Sequence, residues 1–553
     1  MIDLVLHGGV LVTPPPPSSH RERSEAPGRH RERSEATGSH RERSDAVWSV
    51  RHGGLAISGG RIAAVGSDAD MLALAGPGTR KVNLGGRTVL PGFIDAHAHI
   101  WKIGHLLTTM ADLRRTGSLA EIAARVREAP ARLRPDGWVL ARGYNEARLA
   151  ERRPPTREDL DAVVPDRPVV LTRTCGHIYA CNSLALRLCG IGRETPDPPG
   201  GVIGRDASGE PTGLLHETAM GLVNARMPAP TADEYATMIG AALRHQLSHG
   251  ITSTNDAGVS PSLLEVYRNL DASGRLPSRV NVMALRRVEG TGIVPLPEMH
   301  VSDRLRIDTV KFLADGGLSG ATAALSVPYR HADTRGVLRF ADDELLSLSR
   351  EAHEAGWRIA THAIGDVTID QVLRTYEALG PGPKRHRIEH LGLPTAGHLS
   401  RAARLGVIAV PQSIFLYELG RNFRAFLPDH LLAVAYPIRS MLDAGLTVAL
   451  SSDAPVVEDD SPLRGIEAAV MRLDAEGHPI AADQGITIAE AIAAYTTGGA
   501  VASGDEDNRG CLTPGAWADL AVLSGNPLDT PAEALTDLVV EQTWVGGTLA
   551  YER

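Results

Sequence analysis

Two histidines separated by one residue, His97 and His99, end a short apolar run that reads PGFIDAHAH (91–99). In a strand, residues i and i+2 point to the same side, so both imidazoles can bind one ion together. Zinc accepts histidine nitrogens at about 2.0–2.1 Å, but a site needs further ligands. A lone His-x-His also arises by chance, so the pair alone does not establish a metal site.

Four more ligand-type residues fall at or near the ends of later apolar runs: Lys311, His362, His390 and Asp453. Each has an ordinary alternative. The histidines could be core residues with satisfied hydrogen bonds, Asp453 could cap the following helix, and Lys311 could extend its amine to solvent. A charged lysine in the interior would need a partner or a lowered pKa. Their common position at strand ends favours one shared site.

The central part of the chain alternates short apolar or β-branched runs with helical patterns, such as 341–355 and 367–379. This alternation predicts the α/β class, and eight runs predict a (β/α)8 barrel with its chemistry at the carboxyl ends of the strands. A stretch of about 113–230 is too long for one βα unit and predicts a large insertion after the first strand. The runs are 89–99, 251–258, 279–285, 306–317, 357–366, 386–390, 406–412 and 446–455.

Both chain ends contain short alternating strands with glycine turns, which predicts a small β domain assembled from both termini. We expect residues 1–90 and 500–553 to form it and residues 91–499 to form the barrel. Within the first part, three near-copies of a charged ten-residue unit follow a proline run. This composition offers little apolar surface to bury, so 14–46 is predicted to be a disordered insertion. A His-rich metal tract is the alternative.

The composition narrows the function classes. The 553 residues are 43% hydrophobic and 22% charged, and the net charge is −9. These values are typical of a globular protein and give no basic stripe for nucleic acid. No apolar run is long enough for a membrane span, and no secretory signal is evident. The four cysteines form no CxxC pair, so we expect a cytoplasmic protein.

Several motifs together resemble the amidohydrolase superfamily, and within it the amidohydrolase-3 branch that includes N-substituted formamide deformylases and YtcJ-like proteins. The resemblance covers nearly the whole chain except 14–46. The motifs are PGFIDAHAH (91–99), TVKFLADGG (309–317), THAIGD (361–366), IEH (388–390), SSDAP (451–455) and RGCLTPGAWADLAVLSGNP (509–527).

The resemblance implies a barrel with a small β-sandwich domain built from both chain termini. It also implies a metal centre of two divalent ions, with Zn²⁺ expected. His97, His99 and Asp453 would hold one ion, and His362 and His390 the other. A carbamate formed from CO₂ on Lys311 would bridge them. Such a centre activates water as hydroxide at neutral pH, and Asp453 would accept the water proton and pass it to the leaving amine.

The sequence signals for substrate-contacting residues are less specific than those for the metal centre. The segment TRTCGHIYACNSLAL (172–186) resembles a family segment in which His177 would contact the substrate or its transition state, although Cys175 replaces the family's acidic residue. Cys175 as a nucleophile and His177 as a loop-structuring residue are the alternatives. The loop GGLSGATAAL (316–325) lacks the arginine common in the family. Further candidates near strand ends or in loops are His216, Asp315, Asp366 and Gln412.

We therefore predict a metal-dependent hydrolase that cleaves a C–N bond of an amide or N-formyl small molecule. One alternative keeps the barrel but acts on a cyclic amide, carbamate, ester or C–C bond. Another is a non-catalytic regulator that binds a small ligand. The expected partner is a small-molecule substrate, with no nucleic acid or membrane, and the family resemblance favours a homodimer.

Overall fold

A computed structural model describes most of the chain. The described residues are 1–15, 48–129, 133, 137–146, 148–174, 176, 178–198, 201–288, 292–330, 333–382 and 384–553. The predicted disordered insertion, 14–46, lies outside them except for its first two residues, and so do Cys175 and His177. Two compact units are distinguished: residues 1–99 with 243–553, and residues 100–242.

The first strands of the larger unit form one half of a sheet. Strand β1 pairs antiparallel with β2 and parallel with β4 and β5. Gly59 and Gly60 join β2 to β3 with φ of +56° and +77°, which suits the two-residue hairpin turns that need positive φ at both positions. The elements are β1 (Leu4–Thr13), β2 (Ser49–Ser58), β3 (Arg61–Gly66), α1 (Asp68–Ala73), β4 (Arg80–Asn83) and β5 (Thr88–Pro91).

A fully buried strand, β6 (Phe93–Ala98), follows, and the chain then enters the smaller unit. This unit contains the predicted insertion bounds, 113–230, and a sheet of order β11-β12-β10-β9-β8-β7. Its elements are α2 (Ile100–Thr108), β7 (Ala111–Asp112), α3 (Leu119–Glu128), β8 (Val139–Tyr144), α4 (Arg157–Asp161), β9 (Val169–Arg173), β10 (Ile178–Cys181), α5 (Ser183–Leu188), β11 (Gly201–Arg205), β12 (Pro211–Glu217), α6 (Gly221–Asn224) and the start of α7 (Ala232–Ser248).

Back in the larger unit, eight parallel strands lie side by side in the order β6-β13-β14-β18-β19-β20-β21-β22, so the predicted α/β class is confirmed. Each predicted run contributes one strand, because buried β-branched runs separated by amphipathic helices favour parallel pairing. The elements are β13 (Ile251–Val259), α8 (Pro261–Ala272), β14 (Arg279–Leu285), β15 (Arg287–Val288), β16 (Gly292–Ile293), β17 (His300–Val301), β18 (Leu305–Leu313), α9 (Asp342–Glu354), β19 (Arg358–Ala363), α10 (Asp366–Leu379), β20 (Arg387–His390), α11 (Ala396–Arg404), β21 (Ile408–Val410), α12 (Ile414–Phe426), α13 (Asp429–Leu432), α14 (Ile438–Asp443) and β22 (Thr447–Val448).

The two edges of this curled sheet are joined beyond the paired strands. The Asp453 amide donates to the His97 carbonyl at 2.7 Å, and the His99 amide donates to the Ala454 carbonyl at 2.8 Å. These bonds connect the end of the first strand to the segment that follows the eighth. Closure of the eight strands into a continuously hydrogen-bonded barrel stays a prediction.

The chain returns to the terminal sheet after α15 (Pro462–Met471), α16 (Ile488–Ala493) and α17 (Gly499–Ser503). Strands β23 (Leu520–Leu523), β24 (Val540–Val545) and β25 (Thr548–Glu552) complete the order β25-β24-β23-β5-β1-β2-β3, with β4 beside β1. Both chain ends therefore share one sheet, whose core includes Leu6, Leu55 and Trp544. Division of these strands into a two-sheet sandwich stays a prediction.

Helices in the described part of the chain are short. The longest, α7, has 17 residues, fewer than the roughly 20 apolar residues that cross a bilayer. None of these helices combines the length and the apolar character of a membrane span.

A buried ion pair joins the parallel sheet to the terminal sheet. Arg279 on β14 donates to both carboxylate oxygens of Asp519 at 2.6 and 3.0 Å, and both side chains are almost fully buried. The guanidinium also lies 4.1 Å from the ring centroid of Trp517.

We predict that Asp519→Ala lowers the free energy of unfolding by about 3–5 kcal/mol, because it leaves a buried arginine charge unpaired. Arg421→Ala is the control, since it breaks an exposed pair with Glu476 and should cost about 0–1 kcal/mol. Urea unfolding followed by circular dichroism measures both. Equal small losses in the two variants would contradict a stabilising role for the buried pair.

Candidate metal centre

The six predicted metal-binding residues converge at the carboxyl ends of the parallel strands. Ring centroids of His97 and His390 lie 5.0 Å apart, and those of His362 and His390 lie 4.4 Å apart. Strand β6 carries His97 and is followed by His99, β18 carries Lys311, β19 carries His362, β20 ends at His390, and Asp453 follows β22.

His97, His99 and Asp453 form the tightest group. The Nε2 atoms of His97 and His99 lie 3.3 and 3.1 Å from the same oxygen, Oδ1 of Asp453. Burial alone would raise the pKa of the Asp453 carboxyl, but the two histidines outweigh burial and hold this pKa well below its usual range. The group therefore offers two imidazoles and one carboxylate, a ligand set that suits zinc.

The amine of Lys311, on β18, interacts with the charges of Glu389 and Asp453. Its side chain is buried, and Nζ contacts no acceptor among the described residues. Burial lowers the pKa of the amine to about 8, although the charges of Glu389 and Asp453 oppose this shift. An orphaned buried polar atom is costly. The burial of the Lys311 amine is explained if this amine gains a partner when the site holds a metal ion.

His390 is held by Gln412. The His390 Nδ1 atom lies 2.5 Å from Gln412 Oε1, and the amide of Gln412 donates to the Val410 carbonyl and to Ser451 Oγ. This pattern assigns the proton to Nδ1 and leaves the Nε2 lone pair for a ligand bond. Burial, with His362 nearby, holds the pKa of His390 well below its usual value, so the ring is neutral.

The ring of His362 contacts the ring of His390, with the two centroids 4.4 Å apart. Its Nε2 atom is 3.0 Å from the Gly316 carbonyl and 3.1 Å from Asp315 Oδ1. Asp315 itself is fully buried and accepts from the amides of Ile364 and Gly365. Asp315 therefore fixes the loop that follows β19 as well as the ring of His362.

Sequence reasoning missed Glu389 and Arg387. Glu389 Oε2 lies 2.5 Å from His97 Nδ1, and Arg387 donates to both Glu389 oxygens at 2.7 and 2.9 Å. Arg387 is itself fully buried and donates to the Ala96 carbonyl at 2.6 Å. Carboxylates of this kind orient a ligand histidine and raise its basicity. The glutamate in the IEH motif was the available signal.

Asp95, two residues before His97, was also missed. It accepts from the Ser452 hydroxyl at 2.5 Å and from the amides of Ser452 and His97 at 3.1 Å. Burial raises the pKa of Asp95 to about 6 despite these bonds. The side chain joins β6 to the segment that carries Asp453.

Two ligand positions depend on left-handed backbone. His390 has φ of +71° and Asp453 has φ of +56°, values that non-glycine residues adopt uncommonly. Strain of this kind is found where the surrounding structure holds a functional side chain in place. These turns direct both side chains toward the shared site.

The residues predicted to contact substrate lie in different parts of the structure. Gln412 and Asp315 are buried and hold His390 and His362, respectively. Asp366 accepts from the Ser326 amide at 3.0 Å. His216 lies on β12 in the smaller unit, opposite Ile178 and Val202. Contact of these residues, or of His177, with substrate stays a prediction.

Comparison with known proteins identifies the family of the chain. The family model described as "Amidohydrolase family" matches residues 80–551. The chain belongs to the amidohydrolase family. It is 32% identical over 489 residues to the putative amidohydrolase YtcJ of Bacillus subtilis, covering 86% of this chain and 91% of YtcJ.

Two further relatives cover almost the whole chain. Identity to the N-substituted formamide deformylase of Arthrobacter pascens is 32% over 520 residues, 90% of this chain and 94% of that protein. The crystal structure of an uncharacterized metal-dependent hydrolase from Pyrococcus horikoshii superposes with a TM-score of 0.77 at 25% identity, over 96% of this chain and 99% of that one. The amidohydrolase resemblance predicted from the motifs is confirmed.

We predict that Glu389→Gln weakens zinc binding by about 10- to 100-fold, because the amide cannot replace the charged acceptor of His97 Nδ1. Equilibrium dialysis against zinc measures the change. Glu351→Gln is the matched control, since Glu351 pairs with the buried Arg286 at 2.6 Å and contacts no ligand histidine. An equal loss in both variants would mean that the effect does not act through His97.

Proposed function

We propose that this amidohydrolase cleaves the C–N bond of an amide or N-formyl small molecule in a metal-dependent hydrolysis. The observation that carries the proposal is the convergence of His97, His99, His362, His390 and Asp453 around the orphaned amine of Lys311. This donor set suits a borderline divalent ion such as zinc.

The arrangement supports two ions. His97, His99 and Asp453 would hold one, and His362 and His390 the other. The Lys311 amine is buried and has no hydrogen-bond partner among the described residues, which fits its conversion by CO₂ to a carbamate that would supply oxygen ligands to the metal centre. A bound divalent ion lowers the pKa of water and polarises a carbonyl oxygen.

Asp453 is the proposed proton carrier. Its carboxylate is ionised in the folded chain because His97 and His99 stabilise the charge. It can therefore accept a proton at a carboxylate oxygen and donate that proton to the leaving nitrogen, as a general base and then a general acid. His97 would not take this role, because Glu389 faces its Nδ1 atom and its Nε2 atom is assigned to the ion.

The N-formyl class is favoured by one relative. The Arthrobacter pascens protein, aligned over 90% of this chain, is named for deformylation of N-substituted formamides. Both N-formyl amines and other amides present a carbonyl carbon bonded to nitrogen, so the same ligands and proton carrier serve both.

The test is a hydrolysis screen of N-formyl amines, N-acyl amino acids, cyclic amides, carbamates and esters, with zinc content measured on the same samples. We expect amine release from at least one open-chain amide or formamide, and loss of release after chelation. Turnover confined to esters or cyclic amides would reject the proposed bond, and a zinc-loaded chain inactive on every class would favour the ligand-binding regulator.

On the best substrate from this screen, Asp453→Asn should lower kcat by about 10²- to 10⁴-fold, the usual contribution of a positioned acid–base group. Asp443→Asn, which alters an exposed aspartate paired with Arg439, is the control and should leave kcat unchanged. An Asp453→Asn enzyme that turns over at the wild-type rate would remove Asp453 from the proton transfer.

The Lys311 carbamate predicts a pH dependence of reassembly. Only a neutral amine reacts with CO₂, and burial places the pKa of Lys311 near 8 rather than near the ordinary lysine value. At constant dissolved CO₂, the reactivation rate of chelator-stripped enzyme should rise with pH up to about 8 and then level off. Lys311→Ala should not reactivate. A rate that keeps rising to about pH 10 would assign the reaction to an ordinary, exposed lysine.

A further inference from the structure

A second group of metal-binding side chains lies in the larger unit and shares no residue with the catalytic centre. It consists of His245 on the last turn of α7, His249 four residues later, and Asp460 shortly after Asp453 in the chain. One ring nitrogen of each histidine and one carboxylate oxygen lie within 4.8 Å of one another.

The two imidazoles are directed at one carboxylate oxygen. The Nε2 atoms of His245 and His249 lie 2.9 and 3.6 Å from Oδ1 of Asp460. The ring centroids are 4.7 Å apart. A hydrogen bond accounts for the first distance, but the second is too long for one. A simple His–Asp pair therefore explains His245 and leaves the orientation of His249 unexplained.

A central ion explains both orientations. His249 directly follows the last residue of α7, and its backbone amide donates to the Gln246 carbonyl, so the turn that ends the helix brings its ring beside that of His245. Two histidines and one carboxylate, with water in the remaining position, are a ligand set that binds zinc and similar divalent transition metals.

The solvent exposure of the three side chains suits the binding of an ion. The Asp460 side chain is only 6% exposed, whereas His245 and His249 are 32% and 29% exposed. An ion can therefore reach the histidines from solvent and meet a carboxylate that is shielded from water. Charge interactions are stronger in such surroundings than at an open surface.

The histidines are also held in place before any ion binds. Between them, Gln246 Oε1 accepts from the Thr254 hydroxyl at 2.8 Å, and the Leu247 carbonyl accepts from the Thr543 hydroxyl at 2.7 Å. The end of α7 is thus fixed to β13 and β24. Little ordering is needed to form the site, which favours binding.

We infer that His245, His249 and Asp460 form a second metal site, which takes a divalent transition ion such as zinc. The ion connects the end of α7 to the segment 454–461. Because this segment directly follows Asp453, the site stabilises the region from which the catalytic carboxylate projects. It is separate from the proposed hydrolytic centre and does not depend on its chemistry.

The test counts zinc by elemental analysis after loading and dialysis of the full chain. We expect His245→Gln/His249→Gln to bind one zinc fewer per chain than the wild type and His97→Ala/His99→Ala to keep that zinc. His478→Ala is the matched control, because His478 belongs to a third His–carboxylate group but is 52% exposed, and it should bind as the wild type does.

The melting temperature, measured with and without added zinc, is a second test that does not depend on the zinc count of a single variant. Zinc added to His97→Ala/His99→Ala should raise its Tm, because a ligand bound only by the folded state stabilises it, and adding His245→Gln should lessen that rise, since only the His362 and His390 ligands then remain. Unchanged zinc content in the double glutamine variant, or a zinc-dependent rise in Tm that His245→Gln leaves undiminished, would overturn the inference. Loss of substrate hydrolysis with this zinc retained would instead concern the proposed function alone.

Discussion

The candidate metal site depends on a buried set of hydrogen bonds that links the side chains of Arg387, Glu389 and His97. Arg387 and Glu389 are both fully inaccessible, so each charge relies on the other for compensation. The pair is expensive to bury and must be completed by hydrogen bonds. Those bonds reach the carbonyls of Ala96 and Ala502 and the ring of His97, which places one ligand histidine at a fixed point of the sheet.

The same arrangement is repeated around the site with different residue types. Gln412 holds His390, Asp315 holds His362, and Asp95 joins the first strand to Ser452. In each case a buried polar side chain bonds both to a candidate ligand, or its strand, and to a group of a neighbouring segment. Formation of the metal-binding geometry is therefore coupled to correct pairing of the parallel strands.

Much of this could be predicted from the sequence. The eight apolar runs predicted all eight parallel strands, because buried parallel strands and amphipathic helices have distinct patterns. The meeting of residues such as His97 and His362 was predictable because the carboxyl ends of parallel strands lie together. The pairing of Glu389 with a histidine 292 positions away was not, since it appears only in three dimensions. The left-handed backbone at His390 and Asp453 has no local sequence signal either.

The composite terminal sheet has a consequence for synthesis of the chain. Strand β5 pairs on one side with β1 and on the other with β23, and β23 follows the whole parallel sheet in the sequence. During translation, β5 therefore presents an unpaired edge while every element of the catalytic region is being made. Such edges attract other strands. We therefore expect the ribosome-bound intermediate to be more exposed to aggregation than the folded protein, in which β23 covers this edge.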